Sequence, residues 1–191
     1  MSSPALVLAS SSPRRHEILR QAGLDFTSDA ALGPEIHDPA LGMAALVTAN
    51  ARNKAHEVAA RHPDAVVVGA DTLVWLDGEA LGKPSDTAHA RRMLRSLSGR
   101  VHQVATGVHV VRMATRQQVE FHEVTHVRFR SLDDKTIEAY LSSVDVMDKA
   151  GAYALQEHGE MIIEAVEGSR SNVVGLPVER TLAALKQHFG W

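Results

Sequence analysis

The chain has 191 residues, 45% of them hydrophobic and 23% charged, with 20 Lys and Arg against 23 Asp and Glu for a net charge of −3. Those values are ordinary for a globular protein, exclude disordered and fibrous classes, and at this length suggest one domain over residues 1–191, able to form two lobes. Net acidity and 4% aromatic content argue against a nucleic-acid binder, and the absence of cysteine removes disulfides, thiolate nucleophiles and zinc–cysteine sites.

Residues 5–9 (ALVLA) read as a buried strand, and residues 13–22 as a helix stopped by Gly23. Residues 40–61 form an alanine-rich helix ending before Pro63, and residues 65–70 (AVVVGA) a second buried strand. Asp77 and Gly78 mark the turn of a hairpin over residues 72–81. Residues 86–97 are helical, capped by Ser85 and stopped by Gly99. Two long β-branched runs, 101–113 and 119–130, pair antiparallel about a turn at 116–118. Ser131 opens a helix to about residue 142, with Asp134 completing a capping-box analogue. Residues 161–166 are a strand and residues 178–188 a closing helix. Helices alternate with strands, but one pair is antiparallel, so the fold class is α/β with a mixed central sheet. No run approaches 18 apolar residues, and the one at 5–9 is too short for a signal-peptide core, so the expectation is a soluble cytoplasmic protein.

Polar residues gather at four places. Ser10, Ser11, Ser12, Pro13, Arg14 and Arg15 join the first strand to the first helix. Ser12 suits the cap and Pro13 the first helical position, but arginines there oppose the positive end of the helix dipole. Either a capped helix carries solvated arginines, or hydroxyls, backbone N–H groups and guanidiniums await a polyanion. Asp71 and Thr72 follow the valine strand, where an aspartate serves as a general base, a cation ligand or a turn residue. Lys83, between Gly82 and Pro84, is a phosphate contact or a solvated lysine outside any Walker pattern. In the fourth stretch, 148–156, Gln156 suits a base edge and Tyr153 equally suits a core. The glycine- and Ser/Asn-rich run 168–177 is a phosphate-facing turn or a structural loop. Of eleven histidines, His122 and His126 would stand about 13 Å apart on a strand, too far to share a metal; most of the others read as surface residues.

Taken in order, these segments resemble the Maf family of nucleotide pyrophosphatases. The match is carried by Leu8 to Arg15 with Glu17, Ile18 and Leu19; Asn53, Lys54 and Ala55; Gly69 to Thr72; Leu81 to Pro84; Met93 and Leu94; Leu97 to Gly99; His102; Thr106 to Val108; Asp148 to Tyr153; and Asn172 to Pro177. It spans roughly residues 6–186. The resemblance implies an elongated mixed sheet with two lobes and a central nucleotide cleft, of the Maf/inosine-triphosphatase type. It implies hydrolysis of a nucleoside triphosphate to the monophosphate and pyrophosphate, a house-cleaning role linked to septum formation and division arrest, and a divalent cation, Mg2+. Asp71 falls on the family's proton acceptor. Arg14, Thr72 and Gln156 match the branch acting on dTTP and UTP. Ser10, Arg15, Lys54 and Lys83 complete the substrate set, and Glu35 joins Asp71 at the metal.

Two departures stand out. Glu157 lies beside Gln156 where relatives have glycine, and the early acidic loop offers only Glu35, with Asp38 three residues on. Arg14, Arg15, Lys54 and Lys83 would match the roughly four negative charges of a triphosphate, and Asp71 would deprotonate the attacking water. The expected partner is thus a nucleoside triphosphate, with no nucleic acid and no membrane; the base rate for assemblies favours a homodimer. A non-catalytic nucleotide-binding regulator is the main rival, since it would keep Arg14, Lys83 and Gln156 without needing Asp71.

Overall fold

Val66, Val67 and Val68 are fully buried, the pattern of a strand covered on both faces. In the computed structural model, which describes residues 4–38 and 40–191, they open an 11-residue strand, Val66–Leu76. The elements in chain order are β1 (Leu6–Leu8), α1 (Pro13–Gln21), β2 (Thr27–Ser28), α2 (Met43–Arg61), β3 (Val66–Leu76), β4 (Glu79–Leu81), α3 (Thr87–Leu97), β5 (Val101–Arg112), β6 (Gln117–Phe129), α4 (Asp134–Ser143), β7 (Ile163–Glu167), α5 (Arg170–Val174) and α6 (Val178–Phe189).

The strand order is β2-β1-β3-β5-β6-β7, with β4 paired to β3. Strand β1 runs parallel to β2 and β3, in the register Leu6↔Val66, Val7↔Val67 and Leu8↔Val68. Helices α1 and α2 lie in the connections that such parallel pairing requires. Strands β3 and β4 pair antiparallel around Asp77 and Gly78, both at positive φ, as the sequence leads one to expect of a two-residue hairpin. Strands β5 and β6 are neighbours joined by a single short turn, a link too short for parallel strands. Strand β7 is antiparallel to β6. The sheet is therefore mixed and the class α/β, as read from the sequence.

The chain forms two compact units. The first comprises the residues up to Thr72, Thr106–Glu123 and Gly175–Trp191. Its core includes Val7, Ala9, Ala55, Val58, Ala59, Val67 and Val111. Helix α2 packs there at backbone distance. A Cβ at Gly69 would stand 2.4 Å from the Ala51 carbonyl oxygen, and one at Gly107 2.4 Å from that of Val47. Only glycine fits such an approach, and alanines 51, 55 and 59 provide the matching small face on α2. The second unit comprises Leu73–Ala105 and Val124–Val174. Ala90, Met93, Leu94 and Leu97 form a buried stripe on α3 and share a core with Val104, Phe129, Ile137, Tyr140, Tyr153 and Ile162.

Several local expectations are corrected. Strand β3 does not stop at Ala70 but runs to Leu76, because Thr72, Leu73, Val74 and Trp75 continue a β-favouring sequence. Asp71 therefore sits inside a strand rather than at its end. Helix α3 is capped by Asp86, whose carboxylate accepts from the His89 N–H at 2.7 Å; Ser85 lies one residue too early. Asp133 caps α4 in the same way through Thr136. Helix α2 starts at Met43. Helix α5 and strand β2 had no clear sequence signature.

Candidate active site

A buried aspartate inside a strand needs partners, since an uncompensated carboxylate is costly away from water. Asp71 is 5% exposed, and α2 supplies those partners. The Lys54 ammonium donates to Asp71 Oδ1 at 2.6 Å, and the Asn50 amide donates to Oδ2 at 3.2 Å. The close packing at Gly69 and Gly107 brings α2 within this reach. Lys54 also donates to Glu35 Oε1 at 2.6 Å. One ammonium thus joins the two carboxylates that the sequence singles out. Asp38, the alternative second carboxylate, is turned to its own loop and accepts from the Ala40 N–H.

Residues 29–36, which carry Glu35, have no regular structure. Glu57 accepts the N–H groups of Leu32 and Gly33, and these two bonds hold its carboxyl below the usual carboxylate range. Arg61 pairs with Asp29 and with the Ala30 carbonyl. Hydrogen bonds from Arg61 and His62 pull Asp29 down to about 2.

The serine–arginine segment resolves differently for its two arginines. Pro13 takes the first helical position, as the sequence suggests, while Ser12 makes no side-chain cap. Arg14 is half-buried in the first turn of α1. Arg15 turns to three neutral acceptors: the Gly175 carbonyl at 2.9 Å, Ser10 Oγ at 3.2 Å and Thr72 Oγ1 at 3.0 Å. Burial pushes its guanidinium down, the Asp71 and Glu35 charges push it back up, and Arg14 adds to the lowering. The Thr72 hydroxyl also meets Thr106 Oγ1 and donates to the Gly175 carbonyl. With two bonds accepted or shared and one given, its capacity is filled. Ser10 is buried, and its Oγ also accepts the Ser12 N–H.

Ser10, Arg14, Arg15, Glu35, Lys54, Asp71 and Thr72 all belong to the first unit, whereas Lys83 and Gln156 belong to the second, both exposed. Tyr153 is a core residue whose hydroxyl meets His102 Nε2 at 2.7 Å. Asn172 is buried in α5 and gives its amide to Val104 and Thr125, which makes this part of the glycine-rich stretch structural. Sequence reasoning missed Asn50. The signal was a polar residue set among the apolar positions Leu46, Val47 and Ala51 of α2, four residues before Lys54.

Among the described residues, no group of three or more His, Cys, Asp or Glu is arranged to hold a metal. Asp71 and Glu35 nevertheless present oxygens to one cationic centre, the Lys54 ammonium. Two carboxylates suit Mg2+, which completes its shell with water and phosphate oxygens. Among the described residues, no helix is long and apolar enough to cross a membrane.

A family model described as "Maf-like protein" matches residues 5–188. The chain is 46% identical to a dTTP/UTP pyrophosphatase of Akkermansia muciniphila, over 95% of each chain. It is 47% identical to a dTTP/UTP pyrophosphatase of Symbiobacterium thermophilum, over 97% of this chain and 94% of the relative. Among solved structures, it aligns with the nucleoside-triphosphatase (dITP/XTP pyrophosphatase) of Mycobacterium abscessus with a TM-score of 0.44 at 16% identity, over 67% of this chain and 75% of that one. It aligns with a HAM1 protein of Coxiella burnetii with a TM-score of 0.46 at 17% identity, over 65% and 72%.

Proposed function

The chain belongs to the Maf-like protein family, and from that premise we propose that it hydrolyses nucleoside triphosphates, dTTP and UTP foremost, to the monophosphate and pyrophosphate. The relatives named above support the reaction class. The observation that carries the reading is Asp71: a buried carboxylate, held by Lys54 and Asn50, with a second carboxylate on the same ammonium.

In this reading a water oxygen bonds to the α-phosphorus while the bond to the α,β-bridging oxygen breaks, and pyrophosphate leaves. Asp71 accepts the water's proton, and its fixed position supplies the geometry that general-base catalysis needs. Arg14, at the N-terminus of α1, and Lys83 take phosphate oxygens as charge-assisted donors. Arg15 stays on Ser10, Thr72 and Gly175 and holds the strand–helix junction in shape. Asp71 and Glu35 would hold a divalent cation, which supplies charge neutralisation for the triphosphate and its leaving group. The Gln156 amide, with one acceptor and two donors, suits the O2, N3–H and O4 edge shared by uracil and thymine. The site of action in this reading is the cytoplasmic nucleotide pool.

The test is a panel of dTTP, UTP, CTP and 7-methyl-GTP with Mg2+, assayed for monophosphate and pyrophosphate. The expected result is turnover of dTTP and UTP within roughly tenfold of each other, because one methyl separates little. CTP should fall well behind, since its amino group mispairs with the same amide. Nucleotide binding without pyrophosphate release would instead support the regulator reading. Faster turnover of 7-methyl-GTP would move the chain to another branch.

A further inference from the structure

Four polar residues of α2, at positions 50, 54, 57 and 61, follow the i, i+4, i+7, i+11 spacing of a single helical stripe. Each bonds to the irregular segment 29–36. Arg61 takes Asp29 and Ala30, Glu57 takes Leu32 and Gly33, Lys54 takes Glu35, and Asn50 takes Ile36. Asn50 sits at the inner end of the stripe and is 2% exposed. Its Oδ1 accepts the Ile36 N–H at 2.7 Å, and its Nδ2 donates to the Ile36 carbonyl at 3.2 Å and to Asp71 Oδ2 at 3.2 Å. One planar carboxamide therefore grips both backbone groups of the residue after Glu35 and one oxygen of Asp71.

We propose that Asn50 is a positioning residue for the hydrolysis, holding Asp71 and the Glu35 segment in fixed relation through that single amide. The inference rests on the reading of Asp71 as the catalytic carboxylate. Lys54 joins the same two carboxylates, but through a flexible four-carbon stem and a centre that bonds in any direction. A short amide with three directed bonds fixes both distance and orientation. Asn50 also directs one Asp71 oxygen inward and leaves the other to Lys54. Loss of the amide leaves Ile36 without its partners and the Glu35 carboxylate on a looser tether, while the nucleotide contacts of Arg14, Lys83 and Gln156 stay in place. The expected signature is a fall in kcat with little change in KM.

Asn50→Leu keeps the branched side-chain shape, in a somewhat larger volume, and removes all three bonds. In Mg2+ and dTTP, its kcat should drop at least tenfold with KM within threefold of the parent. Without nucleotide or metal, amide exchange in a peptide covering residues 32–38 should quicken at least tenfold. Asp71→Asn is measured beside it, together with the double variant. The double variant should lose no more than Asp71→Asn alone, because the two residues act as one unit. If Asn50→Leu does not fold, Asn50→Ser decides by the same kcat and KM criteria. An unchanged kcat in the Asn50 variant with Asp71→Asn inactive overturns the positioning role alone. Near-native kcat in Asp71→Asn overturns the catalytic reading, and this inference with it. Equal losses in kcat and KM, or full additivity in the double variant, leave Asn50 an ordinary packing residue and also overturn the proposal.

Discussion

Two lysines in this molecule each bridge a pair of carboxylates, and they do so in opposite senses. In the first unit Lys54 joins Asp71 and Glu35; the Asp71 side chain is 7% exposed and the lysine 18%. In the second unit Lys149 meets Asp148 and Glu157, with the lysine 6% exposed and the carboxylates 52% and 44%. One cluster buries one of its anions, Asp71, while Glu35 is 44% exposed; the other buries the cation. The buried carboxylate of Asp71, fixed by directed donors, is the group assigned the water's proton in the proposed reaction. A buried ammonium whose acids face water, and which also donates to the Asp145 carbonyl, ties a turn together. Glu157, the residue that departs from the family pattern, is thereby drawn to Lys149. The interiors differ likewise. The second unit encloses a neutral trio of His102, Phe129 and Tyr153, packed edge to face.

The most severe break of this contrast is Asp71→Asn. It should lower kcat by ~10²–10⁴-fold, about 3–5 kcal/mol in the barrier, while the far-ultraviolet circular dichroism stays native. A kcat near that of the parent would remove the functional meaning of the buried anion. Next in size is a pH effect in the second unit. Burial brings His102 down to about 4 from an ordinary 6.5. Between those values the unfolded chain binds more protons than the folded one, so stability is complete above pH 6.5 and declines as pH falls toward 4, by about 3 kcal/mol. Urea midpoints at pH 7 and 4.5 should show that loss in the parent and a flatter slope in His102→Leu. An equal slope in both would mean that the acid sensitivity arises elsewhere.

The smallest effect sharpens the comparison most directly. Lys54→Met strands a buried carboxylate and should cost about 3 kcal/mol, or about 6–12 °C in Tm for a chain of this size. Lys149→Met returns two half-exposed acids to water and should cost about 1 kcal/mol, mainly for the orphaned carbonyl. Calorimetry of both variants at neutral pH tests the order. A larger loss for Lys149→Met would reverse the assignment of which lysine guards a buried charge.

Much of this arrangement was legible in local sequence. The valine run, the Asp77–Gly78 turn and the amphipathic stripe of α3 depend on neighbours within a few residues, and they fold as their spacing directs. Arg14, Arg15, Lys54, Asp71 and Thr72 were visible as residue types in recognisable segments. Their division of labour was not. Nothing near Arg15 announces that its guanidinium goes to three neutral acceptors, because two of those, Thr72 and Gly175, lie 57 and 160 residues away. Asn50 was hidden for the same reason, with Asp71 lying 21 residues on. Asp71 looked like a strand terminus because a buried charge usually ends a strand, and only its partners on α2 let β3 continue. Most of the histidines read as surface residues, but His102 and His109 are buried. His109 gives one ring nitrogen to Glu120, which Arg52 grips with two bonds.

The bond from Arg15 to the Gly175 carbonyl sets an order of events during synthesis. The first unit is assembled from three separate stretches of chain, and its last stretch begins at Gly175. A ribosome that has delivered Asn50, Lys54 and Asp71 has supplied the residues of the carboxylate cluster, yet Arg15 still lacks its carbonyl acceptor until Gly175 has been made. The second unit, complete at Val174, has all its residues before the first does. Contacts that span so much chain form late and slowly. A nascent chain arrested before Gly175 would carry the carboxylates of the proposed active site but not the clasp that shapes the loop beside them, so that loop would take its final shape only after Gly175 has been added.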